Sequence, residues 1–128
     1  MAKVRDYMTE KVVTADRGTT VAEAARIMHE HRIGCLLVMD GEVAAGVFTE
    51  RDILRAVAGR DDSPRSLVGE WMTGDPVTIA PDAPTLDAIR LMMERHFRHI
   101  PVWDGERVVG ILSMRDLMSL EPARRSSD

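Results

Sequence analysis

The sequence predicts an α+β fold in which two copies of one β-α-β-β-α unit pack sheet to sheet as a pseudo-two-fold module. Three observations predict it. First, Val4 laid on Val68 sets an offset of 64 residues that holds without a gap. It places Met8-Thr9 on Met72-Thr73, Val13-Thr14 on Val77-Thr78, and Arg51-Asp52 on Arg115-Asp116. A register kept that long marks duplication of a single unit. Second, apolar residues at helical spacing are followed by short apolar runs of strand length in both copies. Third, Asp40-Gly41 and Asp104-Gly105 each divide two such runs, a strong short-range hairpin signal.

The elements follow in order. VRDYMT and VGEWMT read as a short turn or helix leading into the β-branched segments KVVTA and DPVTIA. TTVAEAARIMHEHR then places Val21, Ala24, Ala25 and Met28 at helical spacing, and APTLDAIRLMMERH does so with Leu86, Ile89, Met92 and Met93. Thr20 and Pro84 suit the starts of those helices. CLLVMDGEVAAGVF and HIPVWDGERVVGIL each read as two strands, and TERDILRAVA and SMRDLMSL as closing helices. The first repeat spans residues 1–57, AGRDDSPRS (58–66) links, the second repeat spans 67–120, and the polar residues 121–128 form a frayed tail. One copy alone has a two-sided apolar sheet and too little mass to cover it, hence the sheet-to-sheet packing.

Composition narrows the function. At 128 residues the chain can bury a core without metal or disulfide staples. Hydrophobic residues at 45% and charged residues at 30% describe a soluble globular balance, not a disordered one. A net charge of -4 and a pI near 5.6 argue against general affinity for nucleic acid or anionic membrane. Cys35 lies in the apolar run IGCLLVM, where a buried thiol is expected, and a lone cysteine fits a reducing cytoplasmic location. No signal-peptide core or bilayer-length apolar stretch is present. His29 and His31 point to different helix faces, and His96 and His99 lack completing ligands, so no metal site is expected. No nucleophile elbow, P-loop or triad spacing occurs, so no catalytic residue is assigned.

Two runs carry the chemistry: GVFTERD (residues 46–52) and GILSMRD (110–116). Thr49 with Asp52, and Ser113 with Asp116, form hydroxyl-x-x-acid patterns opening a helix, which is a capping arrangement. The same residues can hold a ligand. A helix start and a hydroxyl favour phosphate, Arg51 and Arg115 add charge-assisted bonds, and one carboxylate can accept both hydroxyls of a ribose. From the pattern alone both readings stand. The copies also differ: Glu50 becomes Met114, and Gly34-Cys35 becomes Arg98-His99. The second copy thus suits a multiply charged phosphate better, and two different sites or a single occupied site are expected.

The layout resembles the CBS domain, a unit named after a segment of cystathionine β-synthase and found in tandem pairs. The paired M-T and V-T segments, the L-L-V or I-P-V strand before Asp-Gly, and the glycine-to-Arg-Asp run carry the resemblance over residues 4–120. It implies clefts between the copies that bind AMP, ADP, ATP or S-adenosylmethionine, with no cofactor required. The matching acids and hydroxyls take the roles given above. It adds Thr14, Ala15, Thr78 and Ile79 from the V-T segments, with Leu36 and Ile100 on the opposite wall; Arg98 and His99 border the second cleft. It implies a homodimer and a regulatory, energy-sensing, non-enzymatic module that signals by conformational shift to an unidentified effector protein. No membrane or nucleic-acid partner is expected. The principal alternative is a structural dimerisation or interaction module without ligand. A nucleotide-processing enzyme using His99 and a nucleic-acid binder using Arg51, Arg98 and Arg115 are weaker readings.

Overall fold

Thr20 begins the first long helix by accepting the Glu23 N–H on its hydroxyl oxygen at 3.1 Å. The computed structural model that shows this describes residues 2–105 and 107–119. Helix α1 runs Val21–His31, with Glu23 in its first turn and His29 and His31 in its last, matching the helix dipole. It ends on Arg32 in the left-handed region, φ 56°, which turns the chain so that the Ile33 N–H meets the Met28 carbonyl at 3.0 Å.

Sheet topology explains the next elements. Strand β1 (Thr14–Asp16) lies parallel to β2 (Cys35–Asp40), and β2 pairs antiparallel with β3 (Val43–Thr49). Helix α2 (Glu50–Gly59) leaves β3 directly. A 3-10 turn at Ser63–Arg65 precedes helix α3 (Val68–Trp71), and β4 (Thr73–Gly74) then pairs antiparallel with β3. The sheet order is β1-β2-β3-β4. The second copy gives helix α4 (Thr85–Arg95), strands β5 (His99–Asp104) and β6 (Arg107–Ser113), and helix α5 (Met114–Leu117). Helix α4 repeats the left-handed ending at His96, φ 60°. Beside the β5–β6 pair, Ile79 bridges Val102 in parallel and Thr9 bridges Ile111 antiparallel. Those bridges stand where β1 and β4 stand in the other sheet. The Asp-Gly turns form as expected, with Gly41 at φ 64° and Gly105 at φ 67°. The α+β fold with two repeats is therefore observed.

The chain forms two compact units, Val13–Pro76 and residues 2–12 with 77–119. The sequence repeats and the compact units differ by an exchange: VRDYMT packs with the second copy and VGEWMT with the first. One core holds Val21, Ala24, Met28, Leu36, Phe48 and Val68; the other holds Val4, Met8, Ala88, Met92, Ile100 and Leu112. Glycine makes the exchange possible. A Cβ on Gly46 would lie 2.2 Å from the Thr73 carbonyl oxygen, and one on Gly110 would lie 2.9 Å from the Thr9 carbonyl oxygen. The segment read as the end of a turn thus supplies a strand residue in each unit, because only glycine lets backbone approach so closely.

Other details differ from the sequence expectation or go beyond it. Leu86 and Met93 were expected in the apolar stripe of α4, but they are 52% and 67% exposed, and Ala88 and Met92 face the core. The positions 64 residues earlier are Ala22 and His29, a face outside the core there as well. The linker is structured: Ser66 donates to the Ser63 carbonyl at 2.6 Å, and its oxygen accepts the Trp71 indole N–H at 3.0 Å. Arg60 pairs with Asp62 and Glu70 at 2.9 and 2.8 Å. Its guanidinium holds Asp62 below the usual carboxylate range, while Glu70 is lowered first by the Leu67 N–H and then by Arg60. Helix α5 ends at Leu117, and Leu120 and residues 121–128, the expected tail, lie outside the described residues. No described helix is long and apolar enough to cross a membrane.

The close approach at Gly46 sets a test. Gly46→Ala should cost about 1–3 kcal/mol of unfolding free energy by denaturant titration, because the obstacle is backbone. Gly74→Ala, whose Cβ would sit 3.9 Å from its nearest neighbour, should stay within about 0.5 kcal/mol. Equal costs would contradict the exchanged-strand contact.

Candidate functional site

Strand register gathers the expected residues at one edge of each sheet. In the 13–76 unit, Thr14 lies opposite Leu37, and Cys35 opposite Thr49. This brings the V-T segment, the start of β2 around Leu36 and the end of β3 together. The Glu50 N–H, first in α2, bonds the Gly34 carbonyl at 3.2 Å and ties the helix start to the same edge. In the other unit, His99 lies opposite Ser113, and the Met114 N–H bonds the Arg98 carbonyl at 2.8 Å. Ile79 reaches β5 through its bridge to Val102.

Side chains divide into those that face the core and those that do not. Ala15, Leu36, Ile79 and Ile100 are buried members of the two cores, and the Ile79 N–H and carbonyl are already bonded to the Pro101 carbonyl at 3.2 Å and the Trp103 N–H at 2.9 Å. Thr14, Thr78, Arg51, Arg98 and Arg115 are exposed, while Thr49, His99, Ser113 and Asp116 are half-buried.

Both hydroxyl-acid pairs form capping turns. The Thr49 N–H donates to Asp52 Oδ2 at 2.9 Å, and the Thr49 hydroxyl donates to the same oxygen at 3.3 Å. The Ser113 N–H donates to Asp116 Oδ2 at 3.0 Å, and Ser113 Oγ accepts the Asp116 N–H at 3.0 Å. Amides of Ser113, Met114 and Asp116 are thereby bonded within the protein, so fewer open donors remain for phosphate than the sequence pattern suggests.

The two acids differ in their surroundings. Asp52 is 3% exposed, and its Oδ1 accepts from Arg55 at 2.9 Å in an ion pair. Arg55 also reaches the Trp71 carbonyl at 3.4 Å and lies over the Trp71 ring, 5.8 Å from its centroid. Asp116 is half-buried and makes no ion pair among the described residues. Sequence reasoning missed Arg55. Its signal was present: it stands three residues after Asp52 on one helix face, and the position 64 residues later is Ser119.

Beside Asp52, the Cys35 thiol is pushed up to about 12, first by burial and then by the Asp52 charge. Such a thiol is protonated and inert at neutral pH. Among the described residues no group of three or more His, Cys, Asp and Glu could hold a metal ion. What the arrangement can do is accept hydroxyl donors on Asp116 and offer exposed guanidinium groups to an anion.

Comparison with known proteins gives a consistent picture. The CBS domain model matches residues 4–59 and 68–122. The chain is similar to the CBS domain-containing protein YhcV of Bacillus subtilis, 37% identical over 91% of this chain and 84% of that one. It also resembles the crystal structure of the CBS-domain containing protein ATU1752 from Agrobacterium tumefaciens, with a TM-score of 0.87 and 35% identity over 91% and 96% of the two chains. The CBS domain pair of protein MJ0100, solved in complex with 5′-methylthioadenosine and S-adenosyl-L-methionine, matches with a TM-score of 0.82 and 29% identity over 91% and 92% of the two chains. CBSX2 in complex with AMP matches with a TM-score of 0.77 and 26% identity over 91% and 93%.

Two outcomes follow from the geometry. Asp116→Ala should cost about 0.3–1.5 kcal/mol through the lost cap, and Asp52→Ala more, because it also breaks a pair around a buried acid; urea unfolding of both variants decides. Cys35 should resist iodoacetamide at pH 8 in folded protein and react once urea is added. Its folded pKa of about 12 lies above the unfolded value near 9.0, so the folded state holds the extra proton between them. That contribution is intact below pH 9 and lost as pH rises towards 12. Rapid labelling of the folded chain would contradict the buried placement.

Proposed function

This chain belongs to the CBS-domain family, and from that premise we propose that it is a non-enzymatic regulatory module binding an adenosine-containing ligand. AMP, ADP, ATP and S-adenosylmethionine are the candidate ligands, and no cofactor is required. The observation that carries the reading is the hydroxyl-and-acid turn at the same register in both units, Thr49 with Asp52 and Ser113 with Asp116. Support comes from relatives of the same fold whose complexes contain AMP or S-adenosyl-L-methionine.

In this reading the acid accepts ribose hydroxyls, and the exposed Thr14 and Thr78 border the adenosine. The chain at Ala15, Leu36, Ile79 and Ile100 forms the walls beside the base. Arg51, Arg98, His99 and Arg115 serve the anionic end. Ligand shifts the population of conformations towards the one it binds best, and an effector protein reads the shift. The module acts in the cytoplasm as a homodimer. Leu54 and Met118, which share one repeat position, are 68% and 76% exposed, and Met93 is 67% exposed. Apolar side chains of that size standing in water favour a protein contact.

A second reading, a dimerisation or interaction module without ligand, draws on the capping turns themselves and on the Asp52–Arg55 pair, which serve stability with no ligand present. Thermal unfolding separates the two. AMP, ADP, ATP or S-adenosylmethionine at a hundred times its dissociation constant should add about 2.7 kcal/mol and raise the midpoint by several degrees. If none of the four moves the midpoint, the ligand-free module is the correct reading.

A further inference from the structure

The buried acid of the 13–76 unit already has a cation of its own. Asp52 Oδ2 takes both the N–H and the hydroxyl of Thr49, and Oδ1 takes the Arg55 guanidinium at 2.9 Å. The Asp52 side chain keeps 4% of its surface, while Arg55 above it keeps 56%. Arg55 is fixed at two further points, the Trp71 carbonyl and the face of the Trp71 ring. The same three positions in the other unit hold Asp116, Ser119 and Tyr7. A serine side chain carries no charge, so it cannot neutralise that acid.

We propose that Arg55 is an internal competitor for the first site. Its guanidinium takes the carboxylate oxygen that a ribose hydroxyl would take, so that ligand binds beside Asp116 and not beside Asp52. The inference rests on the adenosyl reading above and sharpens it, because it identifies which of two similar turns takes the ligand and which residue decides. The physical basis is a population cost. A ribose can reach Asp52 only in the fraction of molecules in which Arg55 has left both the acid and the Trp71 ring, and apparent affinity falls by that fraction. A charge-assisted bond to a buried carboxylate keeps that fraction small. Among the described residues no cation pairs with Asp116, so no such displacement is required there. The exposed Arg98, which replaces Gly34, adds positive charge on that side alone.

Isothermal titration of the 128-residue chain with AMP, ADP, ATP and S-adenosylmethionine, each separately, tests this. Expected are one ligand per chain in the unaltered protein, loss of binding in Asp116→Ala, and unchanged stoichiometry in Asp52→Ala. Arg55→Ser, which copies the second unit, should gain a second site. Arg55→Gln keeps much of the side-chain bulk without the charge and should do the same, which guards against a packing defect in the serine variant. Two sites in the unaltered chain, or a folded Arg55→Ser and Arg55→Gln that both stay at one, would overturn the role of Arg55 and leave the adenosyl reading standing. Absence of binding by all four ligands in all the chains would overturn the adenosyl reading itself, and this inference with it.

Discussion

The bond from the Thr49 N–H to the Asp52 carboxylate, with its copy from Ser113 to Asp116, governs how a helix leaves the sheet in each unit. A strand that passes directly into a helix must satisfy amides that neither ladder can reach, and an acid in the third helical position does so with its own side chain. That turn fixes the carbonyl-to-amide links from Gly34 to Glu50 and from Arg98 to Met114, which tie the helix start to the neighbouring strand. The candidate site is therefore a by-product of the turn. Its acid builds the junction whether or not a ligand arrives, and in the proposed reading cap and ribose acceptor are two uses of one group.

The second constraint is the exchange of short segments. Each sheet is completed by a residue from the piece of chain that precedes the other copy, Thr73 against Val47 and Thr9 against Ile111. Val68 and Val4 carry the exchange into the cores, where both are fully buried. The requirement for glycine at 46 and 110 follows from backbone lying over them. A duplicated sequence thus yields units whose boundaries fall inside the repeats, and neither repeat as written in the sequence is a complete unit.

Much of this was legible beforehand, for identifiable reasons. Hairpins announced themselves through Asp-Gly, because positive φ at Gly41 and Gly105 is a local demand that few residues meet. Helix α1 was legible from Thr20 and its stripe of Val21, Ala24 and Met28. Helix α4 was harder. Leu86 and Met93 are apolar yet face outwards, and hydrophobicity alone does not say which of two apolar faces meets the sheet. The crossing of VRDYMT and VGEWMT was not legible at all, since proximity in sequence says nothing about which sheet edge a two-residue strand will choose. At the candidate site the acids and hydroxyls could be read from spacing. The neutralisation of Asp52 by Arg55 needed the structure, because an arginine three residues along a helix can equally well point to water.

In the proposed reading two turns built alike differ in function, because Asp52 is paired with Arg55 while Asp116 makes no ion pair among the described residues. A crystal structure of this chain grown with AMP is the sharpest test. Expected is one nucleotide whose ribose hydroxyls bond the Asp116 carboxylate, with Arg55 still on Asp52 and over Trp71. A ribose bonded to Asp52 with Arg55 displaced, or a nucleotide that touches neither acid, would contradict it.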